Sequence, residues 1–191
     1  PADVVSTIEN LVLDKGFRFY TRLQALWTLE GYSKDHYEAE NLFNVALSAL
    51  DDPHPRIRAA AIRILEPKLR QGSRKVLNRL ERMVKEEGQP YTRLQLLASL
   101  GESTIPKVLS ILAEILNRNV ENEYFREMAL TCVYQQEEEL LKILRNDYNW
   151  REGENKYKDW ILNRLAEIAD TAPNPQLQLT KIEKRQIGRA H

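Results

Sequence analysis

Apolar residues recur at helical spacing in segment after segment, and no stretch alternates as a strand does or carries an Asn-Gly type hairpin turn. Ala2 to Leu13 has a partial pattern (Val4, Val5, Ile8, Leu11, Val12) that stops at Gly16. Phe19 to Leu29 gathers Tyr20, Leu23, Leu26, Trp27 and Leu29 on one side, and Gly31 is expected to close that helix. Tyr37 to Leu50 repeats the spacing with Leu42, Phe43, Ala46, Leu47 and Leu50. Pro55 suits a first helical position, where its missing N–H is no loss, and Pro67 is expected to end the helix it opens. Further helices are predicted over Ser73 to Glu86, Tyr91 to Leu100 (closed by Gly101), Thr104 to Asn117 with Pro106 in its first turn, and Glu123 to Tyr134. Glu137 to Asn146 follows, then a polar turn over Asp147 to Glu154, then Asn155 to Ala169. The chain reads as all-α.

The second helix of each pair repeats. A basic residue stands at Arg22, Arg58, Arg93, Arg126 and Lys158, at intervals of 36, 35, 33 and 32 residues. Three positions on are Ala25, Ala61, Leu96, Ala129 and Ile161; four on, Leu26, Ile62, Leu97, Leu130 and Leu162; seven on, Leu29, Leu65, Leu100, Val133 and Leu165. All fifteen are apolar. Two positions before the basic residue, Tyr20, Tyr91 and Tyr124 recur. A period in the thirties with an unpaired apolar face on each unit predicts helical hairpins stacked into a right-handed superhelix of about four and a half pairs.

The stretch Asp51 to Leu65, DDPHPRIRAAAIRIL, is similar to the HEAT repeat family, whose fold is an armadillo-type superhelix. The resemblance is sharpest at Asp52, Pro53, Pro55, Arg58 and Ala59-Ala60-Ala61, and covers about residues 19–169. It implies a ladder in which an acid ending the first helix and an Arg six residues later link successive repeats. Asp52/Arg58 and Glu87/Arg93 keep that spacing, whereas Gly16/Arg22 and Val120/Arg126 lack the acid and argue against a continuous ladder. A narrower resemblance, carried by Arg22 to Gly31 (RLQALWTLEG), is to the HEAT segment of large bacterial proteins related to membrane-bound, sorbosone-type dehydrogenases. It implies a preceding β-propeller, a following haem c domain with a Cys-x-x-Cys-His motif, and a periplasmic or other extracytoplasmic setting.

Composition changes little in this picture. Among 191 residues, 28 Lys and Arg balance 28 Asp and Glu, so no global charge points to nucleic acid or membrane. No apolar run approaches the ~20 residues of a spanning helix, and no signal-peptide pattern opens the chain. A start at Pro1 rather than Met suggests a piece of a longer protein. The expected organisation is a capping helix over 1–18, HEAT-like repeats over 19–169, and an extended tail or linker over 170–191.

Candidate chemistry is sparse. His36 and His54 fall in turns and His191 is the last residue, with no pair at metal-ligand spacing. Cys132, flanked by apolar positions, is expected to pack as a small hydrophobe. Neither a nucleophile elbow nor a phosphate loop occurs, and Glu137-Glu138-Glu139 is expected to complement a helix dipole. No catalytic, cofactor or metal residue is assigned, so a haem c would belong to a following domain. Trp27, Trp150, Trp160 and the three tyrosines are expected in the core, with a binding surface as the other reading of the Trp27 column.

Charge is unevenly placed. Between Arg56 and Lys85 ten bases face only Glu66 and Glu81, and between Glu121 and Glu154 nine acids face four bases. The candidate partner patch is Arg56, Arg63, Arg70, Arg74, Lys75, Arg79 and Arg82. With no aromatic inside the basic run to stack on bases, other protein domains are the expected partners and nucleic acid is disfavoured. The chain is therefore expected to be a non-catalytic scaffold or spacer. The alternative is a nucleic-acid-binding HEAT protein of the alkylpurine DNA glycosylase type. A bilin-lyase-like HEAT enzyme shares the repeat without any residue signal.

Overall fold

In the computed structural model, which describes residues 2–35, 39–103 and 105–171, every regular element is a helix. The chain divides into two compact units, Pro1–Val133 and Tyr134–His191. The first holds α1 (Ala2–Leu13), α2 (Phe19–Asp35), α3 (Ala39–Ala49), α4 (Pro55–Ile64), α5 (Glu66–Arg70), α6 (Arg74–Glu86), α7 (Pro90–Leu100), α8 (Val108–Asn119) and α9 (Glu123–Cys132). Here α2, α4, α7 and α9 lie each against the next, while α1 rests on α3 and α6 on α8. This is an all-α helical solenoid built as two layers. The second unit packs α12 (Lys156–Thr171) and α11 (Tyr148–Arg151) on α10 (Glu137–Asn146).

Thirteen of the fifteen column residues are buried, and Leu130 and Leu162 are half-buried. Alanines at 25, 61 and 129 let neighbouring second helices approach, and each buried Leu or Ile contributes about 1.5–3 kcal/mol through area removed from water. Helix starts follow local chemistry. His54 caps α4 by accepting the Arg56 N–H, Pro55 opens that helix, and the His54 ring stacks on Phe19 with centroids 3.7 Å apart. Ser73 and Asn122 cap α6 and α9.

Four expectations of detail are corrected. Gly31 lies inside α2, which runs on to Asp35, because one glycine costs a helix only about 1 kcal/mol. The helix opened by Pro55 does end before Pro67, at Ile64, and Pro67 lies in the first turn of the separate short α5. The stop comes at Gly72, whose φ of +75° places it in the left-handed region that glycine tolerates. Pro106 precedes α8, which begins at Val108, and the polar turn after Asn146 contains α11 with Trp150 buried in its unit. Asp170 and Thr171 continue α12. The rest of the tail, Thr104, and the expected helix start at Tyr37 with His36 lie outside the described residues.

The ladder links successive repeats, and its geometry explains the gaps in its acids. Arg22, Arg58 and Arg93 each bond backward to a carbonyl and forward to a side chain of the next repeat. Arg58 donates to the Asp52 carbonyl oxygen at 2.8 Å and clasps both Glu87 oxygens at 2.7 and 2.8 Å. Arg22 donates to the Val12 carbonyl at 2.9 Å and pairs with Asp52. Arg93 donates to the Glu87 carbonyl at 2.6 Å and reaches the Asn119 side-chain oxygen at 3.3 Å. Arg126 Nη1 donates to the Val120 carbonyl at 2.8 Å. The six-residue spacing thus serves a backbone acceptor and needs no acid. The acid is needed by the arginine one repeat earlier, so Gly16, with no such arginine before it, interrupts nothing, and at Val120 the neighbouring Asn119 receives Arg93 instead.

Burial alone would raise the Glu87 carboxyl. The hydrogen bonds from Arg58 and the Gln89 N–H, with the charges of Arg58 and Arg93, hold it below the usual carboxylate range. Its contribution is therefore present above the unfolded carboxyl value near ~4.3 and is lost as pH falls through the lower folded value. E87Q should cost about 1–3 kcal/mol at pH 7, because Arg58 keeps its charge and loses its counter-charge. By pH 3 the difference from the native chain should shrink toward zero. Urea titrations at the two pH values check this, and an unchanged difference would show that the carboxylate's charge plays no part.

Candidate functional site

The predicted basic patch is spread over three helices. Arg56 and Arg63 lie on α4, Arg70 on α5, and Arg74, Lys75, Arg79 and Arg82 on α6. Three are already engaged by acids from other repeats: Arg63 pairs with Glu30, Arg79 with Asp51, and Arg70 with Glu102 at 2.7 Å. Lys68 takes Glu40 at 2.8 Å, and the Lys68 hydrogen bond and charge, with Lys75 further off, lower the Glu40 carboxyl. The surplus of bases is thus partly consumed by inter-repeat contacts. Among the described residues, Arg56, Arg74, Lys75 and Arg82 are exposed and make no ion pair.

Arg56 stands at a different kind of place. A groove of about 320 Å³ crosses the layer of second helices over α2, α4 and α7. Its floor is Ala59 and Ala60, small enough to leave space between flanking helices. Leu23 and Trp27 of α2 form one side, Tyr91 and Gln95 of α7 the other, and Arg56 and Arg63 border it. Trp27 is 47 % exposed and Tyr91 63 %, against the expectation of core packing. The core expectation fails likewise for Tyr20, Tyr124 and Trp160 and holds for Trp150. The tyrosines come at the start of their second helices, ahead of the apolar columns, and so face outward. The lining contains neither a carboxylate nor a histidine nor a thiol.

The signal for this groove was present in the sequence as a column. Two positions before the ladder arginines stand Tyr20, Arg56, Tyr91 and Tyr124, and five positions after stand Trp27, Arg63, Ala98 and Thr131. Aromatics do interleave with the basic residues, but from neighbouring repeats.

A second hollow, of about 270 Å³, lies between the ladder residues Asp52, Arg58 and Glu87 and the Asp51–Arg79 pair. Its charged groups satisfy one another, so it is part of the stacking contact.

Residues 43–133 match the family described as HEAT repeats. The match and the all-helical fold support a HEAT-repeat domain. HEAT repeats generally mediate protein interactions, and domains built from them are typically non-catalytic. No curated protein and no solved structure matches the chain. Among the described residues no helix is long and apolar enough to cross a membrane, and no group of three or more His, Cys, Asp or Glu is placed to hold a metal ion.

Cys132 packs as a small hydrophobe should. Its Sγ donates weakly to the Leu97 carbonyl at 3.5 Å, and burial, with a smaller effect of Glu102, pushes the thiol up to about 11. A Cβ built on Gly101 would fall 2.7 Å from Cys132 Cβ. Gly101 itself is right-handed (φ −59°), so this glycine is required by close approach and not by backbone freedom. At pH 8 alkylation of Cys132 by iodoacetamide should be roughly a hundredfold slower in the folded protein than in urea, since only thiolate reacts. Equal rates would mean an open, ionisable thiol.

Proposed function

We propose that the chain is a non-catalytic scaffold that docks another protein domain through the groove over α2, α4 and α7. The observation that carries this reading is the exposure of Trp27 and Tyr91 on either side of an alanine floor, with the unpaired Arg56 beside them. Aromatic and arginine side chains around a concave apolar floor are the composition from which interface hot spots are built. A lining without acid, histidine or thiol lacks the commonest general bases and nucleophiles, which supports binding over catalysis.

A photo-crosslinker in place of Gln95, within the groove, should give protein adducts in cells of the source organism. The same probe in place of Arg82, on α6, should give few. Adduct yields no higher at position 95 than at position 82 would remove the groove as the docking surface.

The wider setting proposed is a multidomain, dehydrogenase-like bacterial protein in which this domain spaces a propeller from a haem c domain outside the cytoplasm. That setting rests on the Arg22–Gly31 string. It predicts a Cys-x-x-Cys-His motif within about thirty codons after His191 in the full-length gene, and a downstream sequence without it would end this part of the proposal.

A nucleic-acid role has one observation in its favour, the meeting of Trp27 and Tyr91 with two guanidinium groups. Against it, Arg63 is neutralised by Glu30, and the next second helix exposes Glu123 and Glu127 where a phosphate track would continue.

A further inference from the structure

If the groove docks protein, as proposed above, its geometry narrows what it takes. We infer that it binds an acidic, proline-type extended segment lying across the second helices, with a carboxylate on Arg56 and the residues three before and three after it on the neighbouring aromatic positions.

The register is the first support. Tyr20, Arg56, Tyr91 and Tyr124 occupy one position in four successive second helices, and α2, α4, α7 and α9 are neighbours in that order. All four side chains are exposed, the tyrosines by 62, 63 and 75 %. Packed helices stand about 8–10 Å apart. A polyproline II segment rises about 3.1 Å per residue with three residues per turn, so it returns to the same face every ~9.3 Å. A β-strand presents the same face every ~6.7 Å and falls out of step after one helix. Of the two extended conformations, only the three-residue period brings successive side chains onto successive helices. Aromatic grooves also suit prolines, whose ordering cost is prepaid.

Charge is the second support. The lining carries two guanidinium groups and no acid; Glu30 answers Arg63, while Arg56 makes no ion pair. Arg56 thus lacks a planar anionic partner of the kind a carboxylate supplies in two parallel hydrogen bonds. One open cation is enough for one carboxylate but not for a run of phosphates, and Glu123 and Glu127 on α9 would repel such a run.

The test uses the full chain and fluorescein-labelled probes read by anisotropy. These are a twelve-residue proline-rich peptide with one central Glu and prolines three before and three after it, its counterpart with Lys in place of that Glu, a scramble of the first that breaks the three-residue spacing, and a twelve-nucleotide oligo-dT. The acidic periodic peptide should bind saturably, at least tenfold tighter than the other three. R56E should weaken it at least tenfold and R56Q somewhat less, while R82E leaves it unchanged. Both positions are exposed, and retained helical circular dichroism verifies the fold. Equal binding of the acidic and basic peptides, insensitivity to R56E, or preference for the scramble would overturn the inference. So would oligo-dT binding that R56E abolishes, which would favour the nucleic-acid reading. Protein adducts at position 95 without acidic-peptide binding would remove this inference and leave the docking surface standing, whereas the absence of both would remove both.

Discussion

Guanidinium groups that serve two repeats at once set the register of this solenoid. A helical hairpin presents an apolar face that any neighbour of similar shape could cover, and such faces slide. Arg22, Arg58 and Arg93 remove that freedom. Each is anchored to a carbonyl in or just ahead of its own repeat and reaches a side-chain oxygen in the next. The buried columns supply most of the stabilisation, since thirteen largely apolar burials outweigh three polar links of about 1–3 kcal/mol each. The links decide where along the helix those columns meet.

Much of this was written in the order of residues. The columns from Ala25 to Leu165 could be found because burial repeats with the helix period, and a period survives without any knowledge of neighbours. The forward half of the ladder was hidden by a coincidence. Asp52 lies six residues before Arg58, which invites a pairing within one repeat, yet its carboxylate belongs to Arg22, thirty residues earlier. Nothing local distinguishes the two. Gly31 misled because one glycine weakens a helix by an amount that tertiary packing exceeds, so it does not end one alone.

The groove was harder to read. Trp27, Arg56 and Tyr91 come from three different repeats, and only their stacking makes them neighbours. Aligning the repeats places them in columns, but an alignment does not say which column faces water. Tyrosine is ambiguous there, with a ring suited to burial and a hydroxyl suited to solvent. The ten bases between Arg56 and Lys85 were conspicuous and proved in part to be internal wiring, since Arg58, Arg63, Lys68, Arg70 and Arg79 each hold an acid across repeats. What distinguishes Arg56 is the lack of such a partner at a place beside exposed aromatics, and neither feature can be counted from composition.

The ladder also has a direction. Every rung gives from an earlier repeat and accepts in a later one, so each unit carries both a socket for its predecessor and a plug for its successor. A duplicated copy of residues 52–86 would bring an Asp52 to receive the arginine before it and an Arg58 to grip the acid after it. Arrays wired this way can lengthen or shorten by whole copies without inventing a new joint. The Arg93–Asn119 rung, where an amide stands in for the acid, shows that the joint tolerates a neutral acceptor as the array runs on.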